Sequence, residues 1–298
     1  MDLLDELRLL IVRYAGAGLG PGSQQRVQIR DGVSIALVKE PTLPAAVMSE
    51  PSVAVVGQGL KRTVLNGVPY DYRAGQYLVV SVDLPVIGQA LEASRDEPFV
   101  VFTMTLEPAA IAPLLLETAE QARPPAFTGL AVSDATPELL DPIVRLLRLL
   151  DRPADLRVLA PGLQREILWR LITGEQGALV RQIGLANSHL AHISRAIRWI
   201  REHYSEPVLI ADLAALSGMS ASTFHRHFRV ATSMTPIQFV KQIRLQEARA
   251  LLMTAPANVA EIGYLVGYES PSQFSREYRR TFGAPPGRDA ARLKVGEP

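Results

Sequence analysis

The chain has 298 residues, 48% of them hydrophobic, which is enough for more than one core of usual domain size. It contains no cysteine, so disulfides, thiolate metal sites and thiol redox chemistry are excluded. The net charge of +1 conceals an imbalance: residues 186–298 hold 14 Lys and Arg against 9 Asp and Glu, while the first 185 residues hold 17 against 21.

Residues 2–15, DLLDELRLLIVRYA, place Leu3, Leu4, Leu7, Leu10 and Ile11 on one face of a helix that ends at Gly16. The following GAGLGPGS is glycine-rich, but it lacks the lysine of a phosphate-binding loop and follows a helix rather than a strand, so it reads as a connector. The N-terminus shows no basic, apolar and cleavable leader pattern, and no apolar run is long enough to span a bilayer. The expectation is a cytoplasmic protein with no membrane partner.

From Val33 to Leu106 the pattern changes to short apolar runs between turns, among them VSIALV, SVAVVGQG, GQYLVVSVDLPV and PFVVFTMTL. Asn66-Gly67 is a hairpin signal between two of them. About seven such strands argue for a small barrel or sandwich, whose interior is where a small ligand would sit. Tyr70, Tyr72, Tyr77, Phe99, Phe102 and Met104 lie on or beside these strands, and Arg62, Arg73 or Glu92 could pair with a polar group. Each competes with a plainer reading as a core aromatic or a solvated charge. No histidine precedes His189, so a His-ligated metal in the barrel is not available, and neither metal nor cofactor is expected.

Residues 108–187 turn helical, through PAAIAPLLLETAEQ, PELLDPIVRLLRLLD and DLRVLAPGLQREILWRLITG. Pro137 after Asp134, Ala135 and Thr136 suits a first helical turn. The stripe Ile143, Leu146, Leu147 and Leu150 could cover its own barrel or a second subunit. In LANSHLAHISRAIRWIREHY, His189 and His192 stand three apart but lack a third ligand, so a structural role is the simpler reading.

Residues 211–286 say nearly the same thing twice. LSGMSASTFHRHF recurs as LVGYESPSQFSREY, offset by 49 residues at Gly218 and Gly267 and by 50 at Phe224 and Phe274. In each copy a helical run ends at the glycine, which enters a left-handed turn without steric cost, and a polar turn leads to a second helix. Phe224/Phe228 and Phe274/Tyr278 are four apart and point inward. Opposite them lie Ser222, His225, Arg226 and Arg229 in the first copy and Ser272, Gln273, Arg276 and Arg279 in the second. Those residue types bond base edges and phosphates, and they sit where the reading helix of a helix-turn-helix enters the major groove. Either copy alone could be a helical hairpin with a solvated basic face; the repetition argues otherwise. Within TPIQFVKQIRLQEARALLM a helix from Pro236 to Met253 joins the copies, about 27 Å long at 1.5 Å per residue, against about 34 Å between successive major grooves.

This pair of units, the joining helix with RLQEARALL and the closing VAEIGYLVGYESPSQFSREYRRTFGAPP resemble the DNA-binding domain of the AraC/XylS family of bacterial transcription regulators. Two departures are Ser233, where members often carry glycine, and Ser222, where some have a larger side chain. Upstream, SEPSVAVVGQGLKR, YDYRAGQYLVVSVDLPV and LEASRDEPFVVFTMTL resemble the cupin-like sensor of the subfamily with the AraC-type N-terminal domain. The resemblance implies a two-domain α+β chain. Residues 1–188 would be a cupin-like β-barrel with a helical extension that binds a small-molecule effector and forms a homodimer. Residues 189–298 would be an all-α domain with two helix-turn-helix units joined by a long helix. It further implies promoter DNA as partner and activation through RNA polymerase. An enzyme with its active site in the barrel is the competing class, disfavoured because residues 1–188 hold no histidine or cysteine. A purely architectural DNA binder would not need so large a barrel.

Overall fold

The computed structural model describes residues 2–16, 24–117, 129–254 and 258–295. The glycine-rich connector read in residues 17–23 lies outside them, as does the end of the helical run that starts at Pro108. The chain divides into two compact units, Met1–Ala191 and His192–Pro298.

In the first unit a helix, α1 (Leu3–Gly16), precedes nine strands: β1 (Gln24–Arg30), β2 (Val33–Val38), β3 (Ala45–Ser49), β4 (Ser52–Gln58), β5 (Leu60–Leu65), β6 (Val68–Arg73), β7 (Gln76–Val80), β8 (Leu84–Glu92) and β9 (Phe99–Thr105). A short helix, α2 (Pro108–Leu115), and a tenth strand, β10 (Leu130–Asp134), lead to α3 (Pro137–Arg148), α4 (Pro153–Thr173) and α5 (Gly177–Gly184). The strands form a six-stranded sheet ordered β1-β2-β9-β4-β7-β10 and a four-stranded sheet ordered β3-β8-β5-β6. Among the described residues no ladder joins the sheets, so the expected barrel is an open cupin-like sandwich. The expected hairpin is present: Leu65 pairs with Val68 across Asn66 and Gly67, whose φ values of 49° and 82° are both positive, as a type I′ turn demands.

Helices seal one face of the large sheet. Leu7, Ile11 and Ala15, spaced by one helical turn, are fully buried where α1 packs on β1, β2, β4, β9 and α3. Ion pairs from Glu6 to Arg148 at 2.6 Å and from Arg13 to Asp151 at 2.9 Å tie α1 to α3 and the turn that follows it. Ile143, Leu146 and Leu147 are likewise fully buried. The apolar stripe of α3 therefore covers its own unit.

The second unit is helical throughout its described residues: the end of α6 (His189–His203), α7 (Ile210–Leu216), α8 (Ala221–Thr232), α9 (Pro236–Thr254), α10 (Val259–Leu265), α11 (Pro271–Phe282) and α12 (Pro286–Val295). Gly218 and Gly267 end their helices with φ of 64° and 89°, the left-handed conformation that the sequence reading assigned to them. Ser233 closes α8 with φ 58°, while at the corresponding end of α11 stands Gly283 with φ 79°. A residue with a Cβ is strained there by about 1–2 kcal/mol. Ser233→Gly is therefore expected to stabilise the chain by about 0.5–1 kcal/mol, after the greater chain entropy of glycine is set against the relief of strain. Urea denaturation should show a higher midpoint at an unchanged slope.

Candidate nucleic-acid interface and sensor cleft

The two outer helices of the second unit are built alike. Ser220 caps α8 by accepting from the Thr223 amide, and Ser270 caps α11 by accepting from the Gln273 amide. Phe224, Phe228, Phe274 and Tyr278 are fully buried. Phe228 meets Phe239 of α9 edge-on at 5.3 Å, and Phe274 packs against Tyr268 at the same separation. Each helix is thus pinned by its inner face, which fixes the direction of its outer one.

Ser222, His225, Arg226 and Arg229 on α8, and Ser272, Arg276 and Arg279 on α11, are exposed. Among the described residues the guanidinium groups of these four arginines make no hydrogen bond or ion pair. Gln273 differs: it is half-buried and its amide donates to Glu277 at 3.2 Å, inside the second copy.

The cations of the joining helix are structural instead, which the sequence did not reveal. Lys241 donates to Glu277 at 2.8 Å, and Tyr268 donates to the other oxygen of that carboxylate at 3.0 Å. Burial pushes the Glu277 carboxyl up, but the bonds from Lys241, Gln273 and Tyr268 outweigh it and hold the group below the usual carboxylate range. Burial also drives the Tyr268 phenol well above its ordinary value. Arg244 donates to the carbonyls of Tyr204, Gly267 and Glu206 at 2.7, 2.8 and 2.8 Å, and its pKa is lowered by desolvation. Arg249 pairs with the buried Asp289 at 2.9 Å, which also accepts from Tyr278 at 2.7 Å. These three clamps fasten α9 to the second helix-turn-helix. His192 bonds the Ser217 carbonyl at 2.7 Å, and among the described residues no His, Asp and Glu group is placed to hold a metal ion.

In the first unit the predicted ligand contacts do not converge. Tyr72 is buried between the sheets, its hydroxyl 3.2 Å from that of Thr63, and Tyr70 shares its face of the small sheet. Tyr77 and Phe102 both register with Val55 and lie on the other side of the large sheet, under the helices. Tyr77 bonds Ser133 and the backbone at Gln176, and burial raises its phenol. Arg62 pairs across strands with Asp71 at 2.6 Å on the outer face of the small sheet, and Arg73 is exposed. The cause is strand parity: a residue one place along points to the opposite layer.

Two capped units with buried aromatic faces and unpaired arginines outside them define a helix-turn-helix DNA-binding protein. Comparison with known families is specific. Residues 30–179 match the AraC-type transcriptional regulator N-terminus, and residues 213–292 match a helix-turn-helix domain. The chain belongs to the AraC-type transcriptional regulators, a family of regulators rather than enzymes. It is 27% identical over 266 residues to the HTH-type transcriptional activator RhaS of Salmonella schwarzengrund (strain CVM19633), covering 84% of this chain and 92% of that one. It is 28% identical over 267 residues to RhaS of Salmonella agona (strain SL483), with the same coverage. Among solved structures, unsaturated fatty acid bound ToxT from Vibrio cholerae strain SCE256 has the same fold, with a TM-score of 0.52 at 13% identity over 91% of this chain and 96% of that one. Among the described residues no helix is long and apolar enough to cross a membrane.

Proposed function

We propose that this chain is an effector-controlled transcription activator of the bacterial cytoplasm, with residues 1–188 as sensor and 189–298 as reader. Arg226 and Arg276 are the main base-reading residues, supported by Ser222, His225, Arg229, Ser272, Gln273 and Arg279. The observation that carries the reading is the contrast between free arginines on α8 and α11 and engaged cations on α9. At 19 residues and about 1.5 Å per residue, α9 is long enough to present both units to successive major grooves. Activation through RNA polymerase follows the naming of the RhaS relatives as activators, and an effector in the sandwich follows the fatty acid bound to ToxT. Homodimerisation is supported by α4, whose Val158 and Leu159 are exposed apolar residues on the helical part of the sensor. The effector would shift an existing equilibrium between promoter-competent and incompetent states.

The test is fluorescence anisotropy of the full chain on labelled fragments from upstream of its own gene and its neighbours, with competitor DNA and a salt titration. Saturable binding that survives competitor and falls steeply with salt is expected. Binding no stronger than to competitor, across genomic fragments and candidate effectors, would overturn the reading.

A further inference from the structure

The gap between the two sheets has an unequal lining. On the large sheet, Val53, Val55, Phe102 and Met104, which face the helices, are at most 2% exposed. Their neighbours Ala54 and Thr103, which face the small sheet, remain partly exposed although β4 and β9 are interior strands, while Val56 and Val101, further along the same inner face, are buried. A central strand sealed on its outer side and accessible at one place on its inner side marks open space between the sheets at that place. The gap is closed at the β6 end, where Tyr72, Leu65 and Leu78 are buried. It opens toward the edge strands β1 and β3, where Val47 is 46% exposed on the inward face of the small sheet.

One charged side chain of the small sheet points into that space. Lys61 is half-buried, and its Cε lies 3.6 Å from where a Cβ on Gly88 would be, on the face shared with Thr63 and Tyr72. Among the described residues its ammonium has no ion pair or hydrogen bond. On the facing edge strand, Arg26 shares the inward face of Ala36 and donates a single bond to Ser34 at 3.0 Å. Among the described residues, the inward positions of β1, β2, β3, β4, β5, β6 and β9 carry no carboxylate to balance either cation, and Asp134, on the inward side of the edge strand β10, accepts from Gln76 at 2.9 Å. A half-buried, unpaired ammonium beside an apolar opening is an incomplete ion pair.

We infer that the effector, given the sensor reading proposed above, is a small organic carboxylate. Its head group completes the ion pair with Lys61, and its apolar body lies against Ala54 and toward Val47, on the side where the gap opens. The neighbouring Arg62, which the sequence offers with Arg73 as a ligand cation, is already paired with Asp71 outside the sandwich.

The test is calorimetric titration of the full chain with octanoate and benzoate, and with octanamide as the neutral analogue of octanoate. Lys61→Met keeps length and removes charge, Lys61→Arg restores charge, and Arg62→Met controls for the outer face. Because Lys61 makes no ion pair, the Met variant should melt like the parent. Carboxylate binding is expected to fall at least tenfold in Lys61→Met, to recover largely in Lys61→Arg and to be unchanged in Arg62→Met, with octanamide weak throughout. Equal binding by parent and Lys61→Met, no preference for octanoate over octanamide, or no binding of either carboxylate would overturn the inference. The sensor reading fails separately: a neutral metabolite that changes DNA affinity when carboxylates do not would leave a sensor standing and remove only its anionic ligand.

Discussion

Alanine at Arg226 or at Arg276 is expected to weaken binding to a promoter fragment by about 1–3 kcal/mol where the arginine reads a guanine, roughly 5- to 150-fold, with relaxed specificity at that base pair. The expectation rests on geometry that separates these two from the other cations of the unit. Arg226 follows Phe224 by two residues and Arg276 follows Phe274 by two, so each buried ring turns its guanidinium outward at the same place on its helix. Neither guanidinium is tied to a carboxylate among the described residues, so neither must break an internal pair to reach DNA. Arg229 and Arg279, one turn further from the helix start, are expected to meet phosphate rather than base edges. Their removal should lower affinity for all sequences alike and reduce the salt slope by about one. Anisotropy titrations at several salt concentrations on operator and scrambled fragments distinguish the two outcomes. Unchanged binding in both the Arg226 and Arg276 variants would refute the assignment of α8 and α11 as reading helices. Alanine at Arg249 is a useful contrast: it leaves Asp289 buried without its cation, so its first effect is on stability rather than on base preference.

What was legible in the sequence follows from how locally each signal is encoded. The hairpin at Asn66-Gly67 and the glycine ends of α7 and α10 are written in two or three adjacent residues and need no tertiary partner. The strands β1, β3 and β10 are edge strands with few buried residues, so apolar content does not mark them, whereas β6, also an edge, is marked by the Asn66-Gly67 turn before it. In β1, QQRVQIR, no residue is buried, and the pairing to β2 rather than apolar content makes it a strand. The clamps of α9 were hidden for another reason: Lys241 finds Glu277 and Arg249 finds Asp289 at separations of 36 and 40 residues, which no periodicity relates. The reading helices could be oriented from sequence because Phe224 and Phe228 declare an inner face. The sensor strands could not, because β2, β4, β7 and β9 are apolar on both sides, and only the packing of α1 decides which side faces the small sheet. Tyr77 and Phe102, ligand candidates by sequence, therefore stand under the helices, while Lys61, one residue from Arg62, lies on the inward face of the small sheet.

The two glycine turns look equivalent in sequence, and their replacement is expected to have unequal consequences. Gly218 has φ 64° with open space where a Cβ would stand, so Gly218→Ala meets only the left-handed backbone penalty of about 1–2 kcal/mol. Gly267 has φ 89°, and its Cβ would lie 2.4 Å from the Ser205 carbonyl oxygen and 3.0 Å from Cζ of Arg244. A backbone oxygen cannot swing aside as a side-chain tip can, so the segment before α7 or the turn itself must move. Either movement disturbs Arg244, which bonds the carbonyls of Tyr204, Glu206 and Gly267 together. Overpacking of about 1–3 kcal/mol adds to the backbone penalty, and loss of any of these charge-assisted bonds adds more, so Gly267→Ala should lose at least twice as much stability as Gly218→Ala. Urea denaturation of both variants measures the difference, and equal losses would show that the contact at Ser205 does not constrain the turn. The same clamp positions the start of α11, so Gly267→Ala should also weaken DNA binding under conditions where the variant remains folded. Gly218→Ala, whose turn is tied to His192 through Ser217 but where an added Cβ meets nothing within 4 Å, should bind nearly as the parent does.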